Sequence, residues 1–294
     1  MENRSEEHTK LKYLKSVKFC RRYSCPYMPE IPGLDSFEGI VMHSHDYRHP
    51  DPFTDLKVIV LGAGPSGVDI AIELSRVANE VVISHNLQPG YNGPLPSNVV
   101  QEEGIASVHP HYVVFLNGHV HEAQAIVLCT GYKLSFPFIH ESCKLRFENG
   151  VRVYPLYKHV INCYYPSMAL IGILYGILPF PIFHQQVLFF MSVVRGGIIL
   201  PPTDLMIADV DNDYRLRITT GIPPRHAHKM TRALLWSYDD QLSRMGGFPP
   251  ISPIIRHLFD LVGILRQQNF LTFKNHLFRL ASSSSDDRIR GDRT

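Results

Sequence analysis

Little in this sequence is extreme, and what is scarce narrows its class. There is a single tryptophan, and the five cysteines (Cys20, Cys25, Cys129, Cys143, Cys163) include no C-x-x-C pair. An odd count without that spacing argues against a secreted disulfide framework and fits a reducing compartment. Neither sign of charge dominates. The 29 Lys and Arg against 27 Asp and Glu leave +2, which gives no basis for nucleic acid or an acidic membrane surface as a partner. The start of the chain carries Glu2, Glu6 and Glu7 and lacks a signal peptide's apolar core; it is also too acidic for a transit peptide. Long apolar runs are missing too. The best one, residues 167–183, is uncharged but interrupted by Pro179 and Pro181 and followed by His184-Gln185-Gln186. A span needs ~20 mostly apolar residues, so this stretch reads as a buried strand followed by a buried helix, with no transmembrane span. The expected location is cytoplasmic, with peripheral attachment to the endoplasmic reticulum left open.

What is present is organised around residues 57–86. Lys57-Val58-Ile59-Val60-Leu61 is a short β-branched run, the signature of a buried strand. Gly62-Ala63-Gly64-Pro65-Ser66-Gly67 follows directly and opens a helical pattern with Val68, Ala71, Ile72 and Ser75 on one face. Val81-Val82-Ile83-Ser84 is a second β-branched run. The whole has the length and order of a β-α-β dinucleotide-binding unit, a far stronger signal than G-x-G-x-x-G alone. Gly62 permits the tight turn, Gly64 lets a phosphate approach the backbone, and Gly67 lets the helix pack on the strand. The helix start then offers unpaired N–H groups and a positive dipole end to a pyrophosphate. NAD and FAD sites place Asp or Glu at the end of the second strand, on the ribose hydroxyls. Here Ser84-His85-Asn86 carries no carboxylate to repel a 2′-phosphate, which favours NADPH. No Arg follows to clamp that phosphate.

Upstream lies Phe37-Glu38-Gly39-Ile40-Val41-Met42-His43-Ser44-His45-Asp46-Tyr47. The pattern F-x-G-x-x-x-H-x-x-x-[Y/F], met by Phe37, Gly39, His43 and Tyr47, resembles the identifying motif of flavin-containing monooxygenases and Baeyer–Villiger enzymes. Cys129-Thr130-Gly131-Tyr132 resembles the family's [A/C]-T-G-[Y/H] segment. The resemblance runs from Tyr23 to about Leu280. It implies FAD and NADPH as cofactors and oxygenation of a soft nitrogen or sulfur nucleophile, an amine or sulfide, by O2 through a C4a-hydroperoxyflavin. It also implies Gly62, Gly64, Pro65, Ser66, Gly67 and Asp69 as NADP contacts, Ser84 and His85 near the 2′-phosphate, and Thr130, Gly131 and Tyr132 beside the cofactors. No catalytic residue can be named. The family's first G-x-G-x-x-G, for the FAD pyrophosphate, precedes the identifying motif. The 36 residues before Phe37 hold one glycine, Gly33, so this chain resembles the family without its N-terminal third. A catalytically inactive NADP-binding or regulatory remnant is the alternative.

The expected fold class is α/β: a Rossmann-like NADPH-binding domain and the C-terminal remainder of a split FAD-binding α/β domain. The parts are an irregular N-terminus (1–22), a Pro- and Gly-rich extended linker carrying the motif (23–54), the NADPH domain (55–133), the remainder of the FAD domain with helices (134–280) and a disordered polar tail (281–294). Within them, Asn117-Gly118 predicts a hairpin between Tyr112–Leu116 and His119–Ala123. Ala125–Cys129 reads as a buried strand, residues around Gly90 and Gly93 as a loop, a helix as starting near Pro223, and another as spanning Pro253–Gln268. With its N-terminal neighbours missing, the strand at Met168–Gly172 is expected to be left unpaired on one side, favouring self-association. The 16 histidines include four H-x-H pairs, 43/45, 109/111, 119/121 and 226/228. Such pairs share a strand face and can ligate zinc, but a closed site needs about four ligands, and no metal site is expected.

Overall fold

The computed structural model describes residues 16–19, 23–86, 94–268, 271–281 and 288–293. The chain divides into two units, residues 26–132 with 261–294, and residues 1–25 with 133–260.

In the first of these units a five-stranded parallel sheet is built from β2 (Ile40–His43), β3 (Lys57–Leu61), β4 (Glu80–Ser84), β5 (Val99–Glu102) and β9 (Ala125–Leu128), in the spatial order β2-β9-β3-β4-β5. Helix α1 (Pro65–Leu74) crosses from β3 to β4. Strand alternation sorts the core into two layers. Val58, Val60, Val81, Ile83, Ala125 and Val127 turn one way, against Ile70, Ala71 and Leu74 of α1. Ile59, Val82, Ile126 and Leu128 turn the other way, against Val108, Val113 and Phe115. Those last three belong to an antiparallel meander, β6 (Ile105–Val108), β7 (Tyr112–Phe115) and β8 (Val120–Glu122). Covering on both faces explains the continuous apolar runs of β3 and β9. The Asn117-Gly118 hairpin forms as expected, with Gly118 at φ +84° and the Phe115 N–H donating to the His119 carbonyl at 2.9 Å.

The other unit holds a four-stranded mixed sheet, β1 (Ser16–Phe19), β14 (Met168–Ile171), β13 (Ile161–Asn162) and β12 (Leu156–Tyr157) in that order. It also holds a hairpin, β10 (Arg146–Glu148) with β11 (Arg152–Tyr154). Helices α2 (Pro179–Val194) and α4 (Arg232–Gly246) join the core through Phe189, Phe190, Leu235, Tyr238 and Leu242. A further helix, α3 (Thr203–Thr219), buries only Met206 and Arg217. Helix α5 spans Pro253–Gln268, with the bounds the sequence predicts.

Several expectations need correction. Residues 1–22 are not irregular throughout: β1 pairs in parallel with β14 from Ser16↔Met168 to Phe19↔Ile171. Strand β14 therefore has a neighbour on each side, β1 and β13, and the unpaired edge expected there does not exist. The stretch 23–54 is not merely a linker, because Ile40–His43 hydrogen-bonds to β9 as a sheet strand. The tail is not wholly irregular, since β16 (Arg288–Arg293) pairs with β15 (His276–Ala281). Residues from 261 onward group with 26–132 and not with 134–260. Helix α4 begins at Arg232, where the Thr231 side chain caps it by accepting from the Leu234 N–H; Pro224–His226 is a separate 3-10 turn. The loop expected around Gly90 and Gly93 lies outside the described residues, as do 1–15, 20–22 and 282–287. Among the described residues no helix is long and apolar enough to cross a membrane.

Candidate functional site

The residues predicted to hold a nucleotide meet along one edge of the five-stranded sheet. The chain runs outward from β3 through β4 to β5 on one side, and places β9 on the other. The crevice beyond the carboxyl ends of β9, β3 and β4 is thus a topological switch point, where open α/β sheets bind ligands. Gly62–Gly67 leaves β3 there, Ser84-His85 leaves β4, and Thr130-Gly131 leaves β9.

The three glycines divide the work. Gly62 has φ +111°, and a Cβ on it would lie 2.5 Å from the Cys129 carbonyl oxygen. A Cβ on Gly67 would lie 1.7 Å from the Gly62 oxygen, so the helix and strand can approach this closely only without one. Both positions are set by the fold. Gly64 differs: its φ is −72°, and an added Cβ would meet nothing within 4 Å. The fold leaves that space open. Gly64 is also the N-cap of α1 and supplies no side-chain cap, while Pro65 fills the first helical position, where a missing N–H costs nothing. The N–H groups of Ser66 and Gly67 lie in the first turn and point out of the helix start. Ser66 is exposed, and Asp69 is half-buried one turn on, with its Oδ1 3.2 Å from Lys274 Nζ.

At the end of β4 the two predicted 2′-phosphate residues part company. Ser84 is fully buried, and its hydroxyl donates to the Glu103 carbonyl at 2.8 Å. His85 is partly exposed, with Nε2 2.8 Å from Gln101 Oε1, and Asn86 beside it is exposed.

Of the Phe37-Gly39-His43-Tyr47 motif, His43 and Tyr47 follow β2 toward this edge, while Phe37 and Gly39 lie before the strand, at its amino end. Phe37 packs on the meander side of the sheet. Gly39 passes so close to Gln124 that a Cβ would lie 2.2 Å from its carbonyl oxygen. His43 is 3% exposed; its Nδ1 accepts the His45 N–H at 3.0 Å, so its Nε2–H donates to the Gly131 carbonyl at 3.0 Å. Burial holds His43 below its ordinary pKa, partly opposed by that bond to Gly131. Tyr47 donates to Glu73 Oε2 on α1 at 3.1 Å, and burial followed by the Glu73 charge pushes its phenol up. Each motif residue therefore fastens a neighbouring element, and His43 is the one that fastens the turn carrying Gly131.

That turn is held from two sides. The Gly131 carbonyl also accepts the Tyr27 N–H at 2.9 Å, while Thr130 Oγ1 donates to the Tyr27 carbonyl at 2.5 Å. Gly131 has φ +83° with open space where a Cβ would be. The Tyr132 ring meets His43 edge-on at 5.2 Å between centroids. Burial pushes the thiol of Cys129, just before the turn, up to about 12, which disfavours its thiolate. Lys274, opposite Asp69, had no signal in the sequence, being a lone lysine about 200 positions away with no motif around it.

The histidine pairs have other uses than a metal. His109 stacks on Tyr112, and His119 and His121 share the Glu102 carboxylate at 3.1 and 2.9 Å. Among the described residues no group of three or more ligating side chains could hold a metal ion.

Residues 2–91 and 88–255 match the family model described as flavin-binding monooxygenase-like. Flavin-containing monooxygenase FMO GS-OX4 of Arabidopsis thaliana is 36% identical over 241 residues, covering 80% of this chain and 52% of that protein. FMO GS-OX-like 2 of the same plant is 35% identical over 272 residues, covering 88% and 57%. The chain thus spans about half the length of the curated relatives it matches. Among solved structures, the S-allyl-L-cysteine S-oxygenase of Allium sativum superposes with a TM-score of 0.80 at 32% identity, over 89% of this chain and 60% of that one. Tmm from a Pelagibacter strain gives 0.76 at 27%, over 93% and 60%.

Proposed function

Since the chain belongs to the flavin-binding monooxygenase-like family, we propose that its 26–132 unit is the NADP-binding part of an NADPH- and FAD-dependent monooxygenase. The observation that carries this is the open space at Gly64 beside a helix start without a side-chain cap, at the carboxyl edge shared by β3 and β9. The fold closes tightly over Gly62 and Gly67 and leaves room at Gly64, where a pyrophosphate would approach. Ser66 and the N–H groups of Ser66 and Gly67 would hold the phosphates. His85 and Asn86 would face the 2′-phosphate, and Ser84 would support their strand end from inside. NADPH supplies reducing equivalents when bound; the protein's part is to fix its position and keep water out. The substrate class is a small molecule with a soft nucleophile, a sulfide or an amine, with O2 as co-substrate. The name of the Allium S-oxygenase favours sulfur.

FAD is the second cofactor of this reading. The G-x-G-x-x-G at Gly62–Gly67 serves the NADP cradle. The second reading is an NADP-binding or regulatory module without oxygenase activity of its own. Calorimetry with NADP⁺, and an absorbance spectrum with added FAD followed by NADPH and O2, test both. Binding of NADP⁺ is the expected result under both readings. A stoichiometric flavin that bleaches with NADPH would overturn the second reading, and failure to bind NADP⁺ would overturn the first.

A further inference from the structure

The nucleotide cradle carries the wrong charge for its ligand. Residues 62–74 contain Asp69 and Glu73 and no lysine or arginine, and neither Ser84-His85-Asn86 nor Thr130-Gly131-Tyr132 brings one. Glu73 is engaged elsewhere, accepting the Tyr47 hydroxyl. Asp69 is the acid nearer the start of α1. Side chains on a helix lean toward its start, so Asp69 covers the turn that contains Ser66, three positions before it. Its carboxylate therefore stands close to the N–H groups of Ser66 and Gly67. A phosphate drawn to the helix start by those groups and by the dipole meets a like charge there.

The cation that answers Asp69 comes from the far end of the sequence. Lys274 sits in the 3-10 turn Phe273–Asn275, between α5 and β15 and in the same unit as α1. The Asn275 N–H closes that turn by donating to the Thr272 carbonyl at 2.9 Å. Lys274 Nζ lies 3.2 Å from Asp69 Oδ1. That oxygen is buried and makes no hydrogen bond, so the ammonium is its counter-charge. Arg266, in the last turn of α5, adds to the same sign: its guanidinium lies 5.7 Å from the centre of the Phe273 ring, and Lys274 Nζ lies 5.9 Å from it. The pair is poorly placed as a fold contact. The Asp69 and Lys274 side chains are 38% and 62% exposed, and ion pairs so exposed add little to stability.

We propose that Lys274 is a positioning residue of the nucleotide site: it cancels the Asp69 charge at the start of α1, and the segment from residue 261 onward thereby completes the phosphate cradle. This rests on the reading of the 26–132 unit as the NADP-binding part. The effect is electrostatic and needs no contact between Lys274 and the ligand. Three consequences follow from that. Any cation at position 274 serves, the effect weakens as salt screens it, and it vanishes when Asp69 carries no charge.

Titration calorimetry with NADP⁺ on the full chain tests each of them. Lys274→Met should raise Kd about tenfold at about 0.02 M salt and less than about threefold at about 0.5 M. Lys274→Arg should stay within twofold of the parent. In an Asp69→Asn background, Lys274→Met should change Kd less than twofold. A Kd unchanged by Lys274→Met, a loss independent of salt, or the same loss in the Asp69→Asn background would overturn the role of Lys274 and leave the nucleotide site standing. An unmodified chain that does not bind NADP⁺ would overturn both. Should Asp69→Asn not fold, the salt dependence of Lys274→Met against Lys274→Arg decides: equal losses in the two variants refute the proposal.

Discussion

Gly64→Ala separates the nucleotide cradle from the fold that surrounds it. At φ −72° and ψ −179° the backbone of Gly64 is extended, a conformation alanine adopts without strain, and the new methyl meets nothing within 4 Å. A Gly→Ala exchange at such a site gains about 0.4–1 kcal/mol by restricting the unfolded chain. Gly64 is also an N-cap, where alanine costs about as much, so the melting temperature should move by no more than a few degrees. The ligand fares differently. The methyl occupies the space through which a pyrophosphate would reach the N–H groups of Ser66 and Gly67. Losing one hydrogen bond to a charged group costs about 1.5–3 kcal/mol, or roughly 10- to 150-fold in Kd. Gly67→Ala is the counterpart: with its Cβ 1.7 Å from the Gly62 oxygen, strand and helix must separate, costing more than about 3 kcal/mol. Titration calorimetry with NADP⁺ and thermal unfolding of both variants make the assay. Gly64→Ala binding NADP⁺ within twofold of the parent at an unchanged melting temperature would show that the phosphates do not approach at Gly64.

Ser84→Ala removes a buried bond to the Glu103 carbonyl and should cost about 1–2 kcal/mol in urea unfolding, with Kd for NADP⁺ unchanged within twofold; weaker binding at equal stability would return Ser84 to the phosphate site. Tyr47→Phe loses the bond to Glu73 that fastens α1 and should lower stability by about 1 kcal/mol, read from the denaturation midpoint. His43 is held below its ordinary pKa by burial, so its contribution is whole above pH ~6.5 and declines as pH falls below that value, where the unfolded chain binds the proton first. His43→Gln, which can keep both bonds, should flatten that part of the stability profile between pH 7.5 and 5.5, and an identical profile would remove His43 as the cause.

Legibility in the sequence followed the physics of each element. The β-α-β unit could be read because three constraints coincide there: buried strands on both faces of a sheet, a helix packed against one of them, and glycines at Gly62 and Gly67 that sterics make obligatory. β1 could not, because Ser16-Val17-Lys18-Phe19 is four residues long and its pairing with Met168–Ile171 joins segments 152 positions apart. Helix α3 gave no periodic signal because it is held by Asp209, Asp211, Asp213 and Arg217, and an amphipathic pattern records only apolar faces. The same distinction explains what the identifying motif can and cannot tell. Phe37, Gly39, His43 and Tyr47 spend their chemistry on the core, on Gln124, on Gly131 and on Glu73. They specify how the strand Ile40–His43 is seated at both of its ends, Gly39 beside Gln124 at its start and His43 on Gly131 at its finish. A motif whose residues are spent on the core, on Gln124, on Gly131 and on Glu73 records how the sheet is held, so it identifies a family without naming a substrate.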